Sequence, residues 1–402
     1  MSFILDHTVL LLVVAILVAL VARRLRLPYT VGLVVAGFGL ALARISTGFT
    51  LTPDLIFEVI LPPLLFEAAL NIHWKELRRD TLPVLILATF GVMISAFFVA
   101  WGMQHFLGWP WPSALVFGVL IAATDPVAVI AMFKDTGVVG RLRLLVESES
   151  LLNDGVAAVF FAVVLAWALA TGGEAVTTAT VARQLALTVG GGVSTGVACG
   201  GAAILISGRT RDHLVETALT TAAAYGSFLL AEHLHVSGVL ATVAAGIVMG
   251  NLGVLCKDMV PNPLTERGRA FVLDFWEFAA FLANSLIFLL IGLRVAAIPF
   301  AALGMAALLA AVGLVVVGRA LAVYPLCLPF ARSRWAVPLR QQHVLWWGGL
   351  RGALALALAL SLPRSLVLRD KVVIATFGVV AFSIIVQGLT MPLLLKKLGL
   401  RV

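Results

Sequence analysis

The chain has 402 residues, 61% of them hydrophobic and only 12% charged, with a mean hydropathy of +1.09. Such values exclude a water-soluble globular domain and describe an integral membrane protein. The formal charge of +8 and the pI near 9.9 come from basic residues scattered through short loops, with no basic domain, so no nucleic-acid partner is expected.

A spanning helix needs about 20 mostly apolar residues. About thirteen such stretches follow one another, at roughly 4–22, 28–43, 54–71, 82–107, 111–133, 144–171, 182–207, 213–232, 237–253, 269–292, 296–326, 342–362 and 371–395. The first opens with Asp6 and His7 in place of a basic segment and no small-residue cleavage site follows, so it is expected to remain as a helix. Counting loops alternately, one set includes Lys75, Arg78 and Arg79, Arg209 and Arg211, Arg332, Arg334 and Arg340, and Lys396 and Lys397. That set holds roughly 20 of the 28 Lys and Arg residues, against about 6 in the other. The positive-inside rule then places the N-terminus outside and the C-terminus in the cytoplasm, across a cell (inner) membrane. No soluble C-terminal domain is expected. Cys199, Cys256 and Cys327 are odd in number and scattered, which favours buried small side chains over a disulfide framework.

A charge near the bilayer centre costs at least about 2.5–3.5 kcal/mol on insertion scales, so ionisable residues inside the spans are candidates for function. The third span carries Glu67. In the fifth, "LIAATDPVAVIAMF", Pro126 cannot bond the carbonyl of Ala122, so the helix is expected to break beside Thr124 and Asp125. Breaks at membrane depth are tolerated only against protein or a watery cavity. In the sixth, "VESESLLNDG" places Ser150, Asn153 and Asp154 on one helical face, with Glu149 one turn before Asn153. Oxygen ligands of this kind suit a hard cation, and a single carboxylate also takes a proton; an interhelical hydrogen-bond cluster is the alternative. The seventh span contains "GVSTG", which fits a hydrolase pattern, but no strand precedes it. Its glycines recur with Gly200 at fours, a helix-packing spacing. No enzymatic activity is expected.

Glu216 lies in the eighth span, whose end carries "EHLH", read as a solvated loop; Glu277 lies in the tenth and Arg319 in the eleventh. Glu58, Glu147, Asp274 and Arg294 stand nearer span ends, where snorkelling or capping accounts for them. In the twelfth, "WWGGLRGALALALAL", Gly348, Gly349 and Gly352 surround Arg351 and interrupt a second apolar helix beside a charge. Asp125 and Arg351 would offset the partial charges at the two breaks. Glu149 is expected to pair with Arg351. His213 and His343 are read at loop edges, and "GWPWP" with Trp346 and Trp347 as interface anchors.

Interrupted helices at matching places in two halves point to a transporter site between inverted repeats. Residues 1–171 would form a first repeat, 172–212 a linking helix, and 213–402 a second repeat.

Five segments in this order, "LPPLLFEAAL", "TDPVAV", "ESLLNDG", "FLANSLIFLLIGL" and "GGLRGALALAL", resemble NhaP-type sodium/proton antiporters of the monovalent cation:proton antiporter-1 family, and the resemblance covers nearly the whole chain. It implies an all-α fold of about thirteen transmembrane helices and Asp154 as the central cation- and proton-binding carboxylate. Thr124, Ser150 and Asn153 would add ligand oxygens, Glu67 would act directly or through water, and Asp125 would sit at the crossover. Glu149 and Arg351 would form the core ion pair, with Arg319 a structural basic residue. The family is homodimeric, with a transport core from 82–171 and 296–402 moving against an interface part. Because Asn153 cannot titrate, electroneutral exchange of one cation for one proton is expected. Sodium is favoured, with lithium also carried; no cofactor is expected beyond the transported cation and proton. A potassium/proton antiporter of the same fold and a cation channel remain the alternatives, the latter wanting an uninterrupted pore.

Overall fold

The computed structural model describes residues 2–25, 27–44, 51–169, 178–255 and 263–400. Cys256 and residues 172–177 of the expected linking segment lie outside these residues. The described residues form helices and turns, with no strand among them.

In chain order the helices are α1 (Ser2–Leu25), α2 (Tyr29–Leu42), α3 (Leu61–Leu70), α4 (Trp74–Ile86), α5 (Val92–Leu107), α6 (Trp111–Leu120), α7 (Val127–Thr136), α8 (Arg141–Leu169), α9 (Thr178–Ser207), α10 (His213–His233), α11 (Gly238–Met249), α12 (Glu266–Ala296), α13 (Met305–Cys327), α14 (Leu339–Trp347), α15 (Ala353–Leu360), α16 (Arg369–Phe382) and α17 (Gly388–Lys397). Wide π turns lead into α3, join α4 to α5, extend α11 and join α16 to α17. Among the described residues, seven helical stretches are long and apolar enough to cross a bilayer, from Trp74–Leu107 to Arg369–Lys397. Val9–Ala22, Tyr29–Leu42, Trp111–Leu120 and Gly238–Val254 are shorter apolar helices.

The expected spans lie on these helices with altered bounds, the fifth divided between α6 and α7 and the twelfth between α14 and α15. The fourth begins eight residues early, at Trp74, because Lys75–Arg79 are good helix formers whose charges do not interrupt backbone hydrogen bonding. The eleventh begins late, at Met305: Pro299 and Gly304, the latter at φ 88°, end the preceding turn and force a separate start.

Helices α2 and α12 pack face to face, α9 lies on α10 and α11, and α11 lies on α3. A second group forms where α5 packs on α6 and α13, α6 on α8, and α16 on α13 and α15. Helix α8 joins the two groups, packing on α6 in the second and on α3, α9 and α11 in the first. The closest approaches use glycine. A methyl on Gly196 would collide with the Ala241 carbonyl across α9 and α11, which accounts for the "GVSTG" spacing by packing.

Candidate functional site

The chain leaves helical geometry between Leu120 and Val127 and again between Trp347 and Ala353, and the two gaps face each other. Opening a helix leaves backbone groups that must find partners in an apolar interior. The Thr124 N–H donates to Asn153 Oδ1 at 3.0 Å, and the Asp125 N–H to the Leu350 carbonyl at 2.7 Å. The carbonyls of Ala122 and Ala123 accept from Arg351 Nη1 at 2.7 and 3.0 Å. The Arg351 N–H donates to Ser383 Oγ at 2.8 Å, whose hydroxyl donates to Gln387 Oε1 at 2.8 Å.

Charge placement follows the dipoles of the half-helices. Arg351 sits where α6 ends and carbonyls point outward. The Asp125 carboxylate accepts the Val127 N–H at 2.9 Å and the Ala353 N–H, so one anion serves the opening turns of both α7 and α15. Cations at C-terminal ends and anions at N-terminal ends are the favourable arrangement. Gly352 permits it, because a methyl there would occupy the space of the Asp125 carboxylate.

Helix α8 supplies the facing stripe. Thr124 Oγ1 and Ser150 Oγ are 3.0 Å apart. Asn153 Nδ2 donates to Thr124 Oγ1 at 2.5 Å and to Glu149 Oε1 at 3.1 Å. The expected Glu149–Arg351 pair is not formed. Glu149 instead receives both ends of the Arg319 guanidinium, Nη1 to Oε1 at 2.8 Å and Nη2 to Oε2 at 2.7 Å. The reason is geometric: Arg351 is spent on the open carbonyls of α6, whereas Arg319 meets the carboxylate fork to fork. Arg319 also donates to the Leu345 carbonyl, and Gly349 leaves room for its side chain.

Asp154 and Asp125 line a cavity of about 40 Å³ with Thr124, Gly352 and, from α3, Leu61, Leu64, Leu65 and Ala68. That volume admits water or a partly dehydrated ion. Asp154 is 9% exposed. Ser150, Asn153 and Glu67 are not on the lining: the first two hold Thr124, and the Glu67 carboxylate accepts from Asn71 Nδ2 at 3.0 Å. Two carboxylates, a hydroxyl and a wall otherwise apolar form an oxygen-only set suited to a hard cation, and either carboxylate can instead take a proton.

Elsewhere, the fully buried Glu216 accepts the Thr265 N–H and hydroxyl at 3.1 and 2.9 Å and so fixes the start of α12. Glu147 meets Arg143 at 3.5 Å. Glu277 lies on the exposed side of α12. His213 opens α10, 3.8 Å from Asp212. His343 is no loop-edge residue: it lies within α14, its Nδ1 2.7 Å from the Tyr324 hydroxyl. Trp109 is buried against Phe117, so it is not an interface anchor; the half-buried Trp346 and Trp347 donate to the Val316 carbonyl and Thr390 Oγ1. Among the described residues no group of three or more His, Cys, Asp or Glu is placed to hold a metal. Cys199 and Cys327 are free. Sequence reasoning missed Ser383 and Gln387, which read as ordinary helix residues. It also missed Arg141, which grips Asp80 at 2.7 Å and the Ala336 carbonyl at 2.7 Å.

Residues 9–397 match the family model described as sodium/hydrogen exchanger, transmembrane. The Na(+)/H(+) antiporter ApNhaP of Aphanothece halophytica is 42% identical over 93% of this chain and 70% of its own length. The low-affinity Na(+)/H(+) antiporter NhaS1 of Synechocystis is 38% identical over 99% of this chain and 76% of its own. The Na(+)/H(+) antiporter NhaP of Pseudomonas aeruginosa is 35% identical over 94% and 92%. In fold, the chain is similar to the sodium proton antiporter MjNhaP1 of Methanocaldococcus jannaschii, with a TM-score of 0.77, 21% identity and 99% of each chain covered. The sequence match along almost the whole length, on a shared all-helical membrane fold, shows that the chain belongs to the sodium/hydrogen exchanger family.

Proposed function

We propose that this chain is a secondary transporter exchanging sodium, and also lithium, for a proton by competition at Asp154. The observation that carries the reading is the Asp154 carboxylate on a small cavity where two interrupted helices cross. In a low-dielectric site one carboxylate favours a proton or a cation, but not both at once. Asp125 and Thr124 share the cavity, Ser150 and Asn153 position Thr124, and Glu67 acts on the ion directly or through water. Exchange is electroneutral, one cation for one proton, because Asp154 carries the two in turn.

Alternating access is a movement of the bundle from 82–171 and 296–402 against the remaining helices, within a homodimer. The bundle and its complement each take helices from both halves of an inverted repeat, 1–171 and 213–402, joined through 172–212. The protein lies in the inner membrane with its N-terminus outside. Potassium would use the same oxygens, and the cavity size decides between the cations.

The test is radioactive sodium uptake into proteoliposomes under an imposed pH gradient, with the membrane potential clamped at different values. Saturable uptake that needs the pH gradient and ignores the potential is the expected result. Uptake that follows the potential and persists without a pH gradient is channel conduction and overturns the proposal.

A further inference from the structure

We infer that the loop joining α15 to α16 is a binding site for the phosphate headgroup of an anionic phospholipid. Arg364, Arg369 and Lys371 rim an open groove with Asp370, over Leu366 and Leu368. Three cations against one carboxylate leave a net charge of two at this groove. By the orientation proposed above, it stands on the side of the membrane where Lys and Arg are scarce, so the cluster is not explained by the charge asymmetry that orients the chain.

Its depth is fixed by independent features. The long apolar stretch Arg369–Lys397 begins at this loop, which is where hydrocarbon gives way to headgroups. Ser113 Oγ at the start of α6 donates to the Val367 carbonyl at 2.6 Å and pins the loop there. Beside that start lies a cluster of aromatic rings: Phe97 against Trp111 at 5.5 Å, and Trp101 against His105 and Phe106 at 5.4 and 5.9 Å. Exposed aromatics in such a group mark the membrane interface. Val367, 60% exposed between the cations, turns an apolar side chain outward at the same level. Basic side chains and an outward apolar residue on a loop beside exposed aromatic rings fit a phosphodiester with acyl chains attached better than a free anion.

Arg369 has a structural share, since its Nε donates to the Leu362 carbonyl at 2.7 Å and its Nη1 meets Asp370 at 3.0 Å. Arg364 and Lys371 are therefore the residues to change. The groove sits at the outer ends of α6 and α15, both halves of interrupted helices, so a lipid held there bears on the movement of the site. The inference depends on the exchange reading only for this last link.

The experiment is retention of phosphatidylglycerol against phosphatidylcholine by the full chain in nanodiscs, read by native mass spectrometry. The parent is compared with Arg364→Gln/Lys371→Gln and with the conservative Arg364→Lys/Lys371→Arg. Each cation near a membrane surface accounts for about fivefold, so the Gln variant is expected to lose roughly twenty- to thirtyfold of the preference and the conservative variant to keep it. Equal preference in parent and Gln variant overturns the site, whatever the exchange assay gives. In a second arm, inorganic phosphate is added to phosphatidylcholine proteoliposomes. Exchange that phosphatidylglycerol in the vesicles raises and phosphate leaves unchanged supports the lipid, and a phosphate gain matching that from phosphatidylglycerol would assign the groove to free phosphate and overturn the lipid reading.

Discussion

The pairing of Glu149 with Arg319, in place of Arg351, makes a sharp prediction. Both members are buried, and the contact is bidentate at 2.8 and 2.7 Å. Removing one partner strands the other charge away from water, at a cost of about 3–5 kcal/mol. With an unfolding entropy of about 2.1 cal/mol/K per residue over 402 residues, a loss of about 4 kcal/mol lowers the unfolding midpoint by about 5 °C if the chain melts in one step. Glu149→Gln and Arg319→Gln should each show such a drop in detergent. The double variant should fall far short of their sum, because neither charge is then left alone. Arg351→Gln should also destabilise, through the lost bonds to Ala122 and Ala123, but its coupling to Glu149→Gln should be weaker than that between Glu149 and Arg319, because no direct contact joins them. A double-variant cycle with stronger coupling between Glu149 and Arg351 than between Glu149 and Arg319 would refute the geometry.

Gly352→Ala places a methyl where the Asp125 carboxylate lies. It should lose exchange and about 1–3 kcal/mol of stability, and a variant with parental melting and transport would show that Asp125 is not held at the crossing. Asn153→Asp adds a carboxylate next to Glu149 and Thr124, yet the residues lining the cavity are unchanged. A voltage-sensitive dye in proteoliposomes should therefore report no charge movement, and a sodium-dependent potential would contradict electroneutral exchange through Asp154 alone.

Much of the site was legible because its chemistry is costly in lipid. Pro126 beside Asp125, three glycines around Arg351 and the run from Glu149 to Asp154 stand out against apolar helices. The partner of Glu149 did not, because two buried arginines were on offer and only the direction of each guanidinium decides between them. Ser150 and Asn153 read as ligands of an ion, whereas here they serve Thr124; an oxygen's partner depends on which side of the helix break it faces. Ser383 and Gln387 left no signal at all, since a hydroxyl and an amide in a helix are commonplace until a broken helix presents the Arg351 N–H to them. Trp109 reads as an anchor by residue type alone, and its burial comes from packing against Phe117 of α6.

The most direct test of the central claim is cation-induced proton release from acid-loaded proteoliposomes, parent against Asp154→Asn, adding sodium, lithium and potassium in turn with the potential clamped. The account predicts release in the parent with sodium and lithium, and none in a variant of equal folded yield. Proton release by Asp154→Asn at the parental rate would remove Asp154 from the centre of the mechanism.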